Sequence, residues 1–438
     1  MPVPAALARA RFPAPVLEVL RQLERAGHRS WLVGGAVRDL LLHRPRPAAD
    51  FDVATPARPE EVMRLFRRVI PTGVVHGTVT VLEGGERVEV TTFRGEGAYL
   101  DGRRPESVTF LAEVEADLGR RDFTVNALAY DPLRRELRDP FGGRADLKLR
   151  RMRAVGDPAA RFREDGLRPM RAARFVAQLG FTLDPATRRA IPGALPVVRK
   201  VAAERLTDEL SRLLVAPHAV LGLRLLRATG LLGVVLPGLA ALGASALGHA
   251  IRVAGGAPAG LAARLSALLH PLGPGPAEAD LAALRLSRSV AEEAILLVSA
   301  FPCRVEKGGG TNLPGVGAAE VRRWIARLGV ERSATVLELA RAEALAARSD
   351  RRRGAAAEVK EMKARIEAVL AARPPLSVRD LKLGGEEVAA ALGTGPGPRV
   401  GEALRHLLDR VLEEPALNDP ERLRAALREW SAGAPERV

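Results

Sequence analysis

The chain has 438 residues, of which 47% are hydrophobic and 27% are charged. This composition gives room for two to four folded domains and excludes disorder as the dominant state. The net charge is +15 at pH 7, and arginine supplies nearly all of the positive charge because only six residues are lysine. GC-rich coding is a sufficient explanation for arginine in place of lysine. It does not explain the excess of basic over acidic residues, which favours a polyanionic partner.

Neither export, nor a disulfide framework, nor a zinc site is indicated. The single cysteine, Cys303, has no cysteine or histidine at metal-ligand spacing. Arginines and prolines interrupt the apolar residues at the N-terminus, so no signal peptide is predicted. The uncharged window from Ala228 to Ile251 is long enough to cross a bilayer, but Pro237 and five glycines divide it into short pieces. We therefore expect a cytoplasmic protein without a membrane span.

The first third of the chain has an α/β pattern. A strand, a Gly-Gly turn and a helix are predicted for WLVGGAVRDLLL, and further strands for DFDVAT, HGTVTVLEG and ERVEVTTF. Gly84 and Gly85 lie between the last two runs and predict an antiparallel hairpin. Beyond about residue 150, apolar residues recur every three to four positions, which predicts helices. The predicted fold class is α+β, a small mixed sheet followed by all-helical regions, with boundaries near about 150, 220 and 345.

The first group of candidate site residues follows the first predicted strand. Gly34 and Gly35 at a strand-to-helix turn let backbone amides approach a phosphate, and the helix dipole favours the same anion. Arg38 would complete this cradle. Asp50 and Asp52 project from one face of a strand, where their oxygens suit Mg²⁺ ions that stabilise a nucleotidyl transfer. Each feature alone is ordinary, and their order and spacing together indicate the site.

Glu89 is the candidate for a third catalytic carboxylate. It lies between Val88 and Val90 on a predicted strand, so its side chain points to the opposite face from these valines. A charge facing the core there would be costly. A solvent-facing residue of a half-exposed strand is the simpler interpretation of this position.

A second group lies in the run RRDFTVNAL. Arg120 and Arg121 cannot both lie on an apolar face, so at least one is available to a phosphate. Asp122 and Asn126 are four residues apart and could orient a guanidinium group or cap a helix. The alternative interpretation is an ordinary basic helix start.

A third group lies in the run EDGLRPMRAARF. If this run is one helix, Asp165 and Arg168 are neighbours and Arg171 follows one step further round. A structural salt bridge is one interpretation. The other is base recognition, because an Asp acceptor beside an Arg donor matches the exocyclic amine and ring nitrogen that C and A both present, whereas U and G present the reverse pattern.

Together these runs resemble the class II tRNA nucleotidyltransferases (CCA-adding enzymes) and bacterial poly(A) polymerases of the polymerase-β-like superfamily. The matching runs are LVGGAVRDLLL with DFDVAT, PTGVVHGTVTV with EVTTFR, RRPESVTF, DLGRRDFTVNALAYD, DPFGGRADL, RAVGDPAARFREDGLRPMRAARFVAQLGF and ERLTDELSRLL. The run that starts LKLGGEEV and ends NDPERL is similar to the tRNA-contacting tail of CCA-adding enzymes. The region 221–345 matches only loosely.

The resemblance implies a nucleotidyltransferase head (1–149), a neck that recognises the base (150–220), a helical body (221–345) and a helical tRNA-binding tail (346–438). It implies addition of CMP and AMP to the 3′ end of tRNA without a nucleic-acid template, from CTP and ATP, with Mg²⁺ as cofactor. The implied metal ligands are Asp50 and Asp52, which are catalytic together with Glu89. The implied nucleotide-binding residues are Gly35, Arg38, Arg121, Asp165, Arg168, Arg171 and Arg174.

Three departures from the family pattern bear on these roles. His43 stands where the family usually has glycine, and the run RPRPAADFD is two residues longer than the common spacing. Pro169 inside a helix would remove a hydrogen bond to the carbonyl of Asp165 and kink the helix. Some relatives carry His-Asp metal ligands in the body, but Pro271 follows His270 here. We expect no such metal site and a structural role for His270.

Several functions remain open at this point. CCA addition is favoured by PTGVVHGT, by EDGLR and by the loop RGEGAYLDGRRPESVTF, which in the family belongs to enzymes that switch from C to A addition. Addition of CC alone or A alone, and poly(A) polymerisation, use the same catalytic head. An RNA-binding protein without activity is a further alternative, although it has no need of paired metal-binding carboxylates. The oligomeric state is not predicted.

Overall fold

The computed structural model describes residues 3–44, 51–96, 108–301, 313–315, 317–347 and 349–433. Asp50, Cys303 and most of the RGEGAYLDGRRPESVTF loop lie outside the described residues. The chain forms two compact units, residues 1–241 with 282–286 and residues 242–281 with 287–438. The division into head, neck, body and tail stays a prediction.

The strands belong to the first unit and are short. They are β1 (Trp31–Val33), β2 (Asp52–Thr55), β3 (Val69–Gly73), β4 (Thr78–Glu83), β5 (Glu86–Thr92), β6 (Arg94–Glu96), β7 (Val108–Phe110), β8 (Ala129–Asp131), β9 (Glu136–Arg138), β10 (Arg151–Met152) and β11 (Thr182–Leu183).

Seven of these strands form one mixed sheet in the order β3-β4-β5-β2-β1-β8-β9. β2 and β5 pair in parallel, whereas the other neighbours in this sheet are antiparallel. β1 is an interior strand of the sheet, between β2 and β8, and its three apolar residues are all buried. The predicted hairpin joins β4 to β5, and positive φ angles of 54° at Gly84 and 85° at Gly85 are typical of a type I′ turn. The mixed sheet and its hairpin are thus confirmed.

Most of the remaining described residues form helices, as predicted. They are α1 (Ala5–Ala8), α2 (Ala14–Arg25), α3 (Gly35–Leu41), α4 (Pro59–Leu65), α5 (Val114–Gly119), α6 (Gly143–Lys148), α7 (Pro158–Glu164), α8 (Arg168–Leu179), α9 (Pro185–Val198), α10 (Ala203–Leu214), α11 (Ala219–Thr229), α12 (Leu232–Val235), α13 (Pro237–Ala240), α14 (Ala244–Gly256), α15 (Leu261–Leu269), α16 (Pro274–Ala283), α17 (Arg288–Ser299), α18 (Ala318–Leu328), α19 (Val330–Ala346), α20 (Ser349–Ala371), α21 (Gly385–Leu392), α22 (Pro398–Glu413) and α23 (Pro420–Gly433). Short 3₁₀ helices cover Val74–His76, Thr124–Asn126, His270–Leu272, Val378–Asp380 and Pro415–Leu417.

The uncharged window from residue 228 to residue 251 folds as expected. It contains the end of α11, α12, α13 and the start of α14, with breaks at Gly230, before Pro237 and at Gly243, whereas the other three glycines lie inside helices. Among the described helices, none is long and apolar enough to cross a membrane.

Each unit has its own apolar core. In the first unit, Trp31 and Val33 of β1 pack with Phe93 and with Leu118 of α5. In the second unit, one cluster joins α21, α22 and α23 through buried residues that include Leu383, Leu407 and Leu427. Burial of side chains of this size supplies most of the stabilisation of such helices.

The predicted continuous helix through EDGLRPMR is wrong. α7 ends at Glu164, and Asp165 follows in extended conformation with φ −141° and ψ 108°. α8 begins at Arg168, so Pro169 lies in its first turn, where the backbone N–H has no helical partner in any case. Pro169 therefore removes no hydrogen bond from the helix, and the expected kink does not form.

Candidate active site

The turn between β1 and α3 requires glycine at its first position. Gly34 has φ 69° and ψ −130°, a conformation that other residues rarely adopt. Its N–H donates to the carbonyl of Leu128 at 3.1 Å. A Cβ atom at this position would lie 2.8 Å from Nη1 of Arg121. Gly34 thus allows the Arg121 guanidinium to lie directly against the turn.

Replacing Gly34 by Ala is expected to lower the free energy of unfolding by about 1 to 3 kcal/mol because of backbone strain. It should also displace Arg121 and weaken nucleotide binding. Gly85→Ala is the matched control, since Gly85 has φ +85° but open space around it. Urea unfolding and ATP titration check both variants. Equal losses of ATP affinity in both would contradict the role given to the Gly34–Arg121 contact.

Asp52 and Glu89 lie on neighbouring strands. Asp52 opens β2 and is the register partner of Glu89 in the parallel β2–β5 pair. Glu89 is exposed, whereas Val88 and Val90 on either side of it are buried, so the predicted orientation of Glu89 is confirmed. Because side chains alternate between the faces of a sheet, register partners share a face. Asp50, the other predicted carboxylate, lies outside the described residues.

Arg38 is a buried arginine with defined partners. Its Nε and Nη2 donate to the carboxylate of Asp39 at 2.8 and 3.0 Å, and its Nη1 donates to Oδ1 of Asn126 at 2.6 Å. Only 8% of the residue is exposed. The α3 helix therefore presents this guanidinium in one fixed orientation.

Asp122 is the centre of a buried polar network. Arg171 donates to Oδ2 of Asp122 from Nε at 2.8 Å and from Nη2 at 2.6 Å, while Asn126 and the backbone N–H of Phe123 donate to Oδ1. Burial raises the pKa of the Asp122 carboxyl, but the charge of Arg171 and these hydrogen bonds outweigh it, so the pKa lies below its usual value. The predicted role of Asp122 and Asn126 in orienting guanidinium groups is confirmed.

Three arginines surround the ring of Phe175. The guanidinium carbons of Arg38, Arg171 and Arg174 lie 5.3, 5.4 and 4.1 Å from its centroid. Arg174 also donates from Nε to Oε2 of Glu209. The aromatic face and the buried carboxylates together stabilise a concentration of positive charge that would otherwise repel itself.

Asp165 and Arg168 lie on either side of the turn between α7 and α8, where the backbone N–H of Arg168 donates to the carbonyl of Asp165 at 3.1 Å. Oδ1 of Asp165 accepts a hydrogen bond from the backbone N–H of Leu167 at 2.9 Å. Arg168 donates from Nη1 to Oε2 of Glu164 at 2.6 Å. The same guanidinium donates to the carbonyls of residue 161, at 2.9 Å, and residue 120, at 2.9 Å. Asp165 is thus held by a turn, and Arg168 is held by Glu164 and by the carbonyls of residues 161 and 120.

Arg121 is held from the other side of the site. Its Nη2 lies 3.4 Å from Oδ2 of Asp117, a carboxylate that is fully buried at the end of α5. The same carboxylate accepts a hydrogen bond from Nε of Arg120 at 2.8 Å. Arg120 ends α5, so the interpretation of this pair as a helix start is wrong.

These side chains line one cavity of about 950 Å³ in the first unit. Nine arginines and four aspartates contribute to its wall, which gives it a positive potential suited to a polyphosphate. Glu89 is not among the lining residues of the described chain. The predicted site residues on the wall are Gly35, Arg38, Asp52, Arg121, Asp165, Arg168, Arg171 and Arg174.

Comparison with known proteins identifies the family. Residues 30–153 match the family model of the poly A polymerase head domain, and residues 180–242 match that of the probable RNA and SrmB-binding site of polymerase A. The CCA-adding enzyme of Geobacillus thermodenitrificans is 39% identical over 95% of this chain and 96% of its own. The chain belongs to the CCA-adding enzyme family.

A solved structure of the same family supports this membership. The Bacillus stearothermophilus CCA-adding enzyme in complex with CTP is 34% identical, with a TM-score of 0.75 over 95% of this chain and 97% of that one. The Thermotoga maritima CCA-adding enzyme complexed with tRNA is 20% identical with a TM-score of 0.64 over 98% of each chain, and shares the fold. The resemblance, the α+β fold class and the assignment as a CCA-adding nucleotidyltransferase are confirmed.

Two carboxylates that pair with arginines of the cavity wall were not predicted from the sequence. Glu209 lies on α10 beside the buried residues Leu206, Leu210 and Leu213, and an acid within that apolar stripe was the available signal. Asp39 follows Arg38 directly, and adjacent residues of a helix do not usually face each other. Only the folded structure shows that this carboxylate pairs with its neighbour.

Proposed function

We propose that this enzyme adds CMP and AMP to the 3′ end of tRNA from CTP and ATP, and that the cavity of the first unit is its active site. The observation that carries the proposal is that one cavity joins the start of β2, which bears Asp52, to the arginines of α3 and α8. Carboxylates and guanidinium groups in one cavity are what the transfer of a nucleotidyl group requires.

The residues present fit a divalent metal ion, and we assign Mg²⁺. Asp52 offers hard carboxylate oxygens at the cavity wall. Asp50 precedes it by two residues, and Glu89 is its register partner. When bound, Mg²⁺ would neutralise phosphate charge and favour the deprotonated form of the attacking hydroxyl.

The remaining roles follow from the donors on the wall. Gly35 begins α3, so the N-terminal N–H groups of that helix and the Arg121 guanidinium would bind the triphosphate. Arg38, Arg171 and Arg174 are already fixed by buried carboxylates, and would stabilise negative charge without reorganising.

Base recognition is assigned to Asp165 and Arg168. Asp165 supplies an acceptor and Arg168 supplies donors, both on the cavity wall. This pattern accepts the amine and ring nitrogen of C and A and opposes U and G. The pair lies at the break between helices, so its geometry does not depend on helical spacing.

The CTP complex of the Bacillus stearothermophilus relative supports nucleotide binding in this fold. The net charge of +15 supports a tRNA backbone as the second substrate. We infer that the enzyme completes the full CCA sequence, in line with the curated relatives that are described as CCA-adding.

Incorporation on tRNA transcripts tests this proposal. Transcripts that end at the discriminator base, at C and at CC are each given Mg²⁺ with CTP, ATP or both, with UTP and GTP as competitors. We expect completion of CCA from the discriminator base, then a stop, with no use of UTP or GTP. Addition of CC alone, of A alone or of long A tails would contradict full CCA addition. No incorporation at all would favour a binding protein.

A further inference from the structure

Three potential metal ligands meet in the second unit, far apart in sequence. His249 lies on α14, His270 begins a 3₁₀ helix, and Glu343 lies on α19. The ligand atoms that they offer all lie within 4.8 Å of one another. Nε2 of His249 is 2.7 Å from Oε1 of Glu343, and Nε2 of His270 is 3.6 Å from Oε2 of the same carboxylate.

The tautomer of His270 follows from its surroundings. Its Nδ1 lies 2.8 Å from the carbonyl oxygen of Ala267, which can only accept, so Nδ1 carries the proton. The ring stacks on Phe301 with centroids 4.3 Å apart and an interplanar angle of 9°, which fixes its plane. In the neutral ring the proton on Nδ1 is the only ring proton, and Nε2 is 3.6 Å from Oε2 of Glu343. Its Nε2 therefore presents a lone pair to Glu343.

Glu343 presents a second lone pair to the same space. Its Oε2 is buried and has no hydrogen-bond partner among the residues that the structure describes. Two buried acceptors thus face each other at 3.6 Å without a donor between them. Such an arrangement costs free energy, and a cation between the two atoms removes this cost.

We propose that His249, His270 and Glu343 bind one transition-metal dication of the Zn²⁺ type. Two imidazoles and one carboxylate are a ligand set that Zn²⁺ and Co²⁺ prefer and Mg²⁺ does not. The hydrogen bond from Nδ1 of His270 to a backbone carbonyl is the usual outer contact of a metal-bound imidazole.

The partial exposure of two of the three side chains gives a metal ion access to the site and leaves one coordination position open to water. His270 is buried, with 1% of its side chain exposed, whereas 27% of His249 and 23% of Glu343 are exposed. An ion can enter from this side and keep a water as its fourth ligand. The bound ion would crosslink α14, α19 and the 3₁₀ helix, which is a structural role. The carboxylates assigned above to Mg²⁺ are not among the described residues of this second unit.

Metal content of the full chain tests the proposal. The background is Cys303→Ser, which removes the single thiol, and the protein is stripped with a chelator before titration with Zn²⁺ or Co²⁺. We expect one ion per chain and a Co²⁺ absorption spectrum typical of tetrahedral nitrogen and oxygen ligands. His249→Ala and Glu343→Gln should each weaken Zn²⁺ binding by at least roughly a hundredfold.

Two further variants separate this site from other sources of binding. His406→Ala removes a histidine that stacks on Trp430 in the same unit, and it should bind Zn²⁺ as the background does. Asp52→Asn should also leave Zn²⁺ binding unchanged. Three results would each overturn the proposal. They are loss of Zn²⁺ binding in Asp52→Asn, a Zn²⁺ affinity in His249→Ala and Glu343→Gln equal to that of the Cys303→Ser background, and no bound Zn²⁺ in that background. Circular dichroism of the stripped variants confirms that all are folded.

Discussion

Asp52→Asn is expected to lower the rate of CMP and AMP incorporation by at least about a thousandfold while the chain stays folded. A metal ion held by this carboxylate is worth several kcal/mol in the transition state, and about 1.4 kcal/mol corresponds to a tenfold change in rate. Asparagine keeps the shape of the side chain and removes the charge that is proposed above to hold the ion. Single-turnover incorporation of CMP on a tRNA that ends at the discriminator base, and of AMP on a CC-ended tRNA, measures the effect.

The control for this substitution is Glu83→Gln. Glu83 ends β4 opposite Glu86 at the hairpin, so the variant also removes one negative charge from the sheet without touching the start of β2. Its incorporation rate should match that of the unchanged enzyme. Retention of more than about a tenth of the activity in Asp52→Asn would exclude Asp52 as a metal ligand.

Asp122→Asn is expected to lower the free energy of unfolding by about 3 kcal/mol. Removing one partner of a buried ion pair leaves the other charge uncompensated, which costs about 3 to 5 kcal/mol. We take the lower end because one third of the Arg171 side chain is exposed. Asp208→Asn is the control, since Asp208 and Arg212 form an exposed pair worth less than about 1 kcal/mol. Urea unfolding of both variants gives the comparison.

The contribution of Asp122 to the free energy of unfolding should decrease as the pH falls into the acidic range. Its pKa in the folded state lies below the usual value of 3.8, so its stabilisation is complete above that value and is lost as the pH falls below it. The difference between the unchanged enzyme and Asp122→Asn should be constant near neutral pH and shrink below about pH 4. A difference that grew on acidification would contradict the ion pair.

The sheet and the glycine turn could be predicted because local rules decide them. Alternation fixed the orientation of Glu89 between two buried valines, and only glycine adopts the φ of Gly34 without strain. The break at Asp165 could not be predicted from spacing, because EDGLRPMR has helical periodicity on both sides of it. Pro169 kinks a helix when it lies in the interior and is tolerated when it lies in the first turn. Which of these applies depends on where α8 begins, and the spacing of apolar residues does not show that.

Which arginines pair with Asp122 and with Glu209 was also beyond prediction. Arg171 pairs with Asp122 across 49 residues, and Arg174 pairs with Glu209 across 35. Contacts at such separations follow from the packing of whole helices, so the sequence around one residue does not indicate which distant residue it contacts. The cluster of His249, His270 and Glu343 is of the same kind, because α19 supplies the carboxylate 73 residues or more after the histidines.

The contacts of Arg168 bear on how nucleotide preference can change during evolution. One guanidinium joins the end of α5, the α7 helix and the start of α8, so most substitutions at this residue disturb three segments in addition to the base recognition proposed above. The Asp165 carboxylate accepts a hydrogen bond from the backbone N–H of Leu167 and lies 4.0 Å from Nη2 of Arg205. If base recognition is assigned to this pair as proposed above, neutral drift in selectivity is easier at Asp165 than at Arg168, because fewer segments depend on the Asp165 side chain.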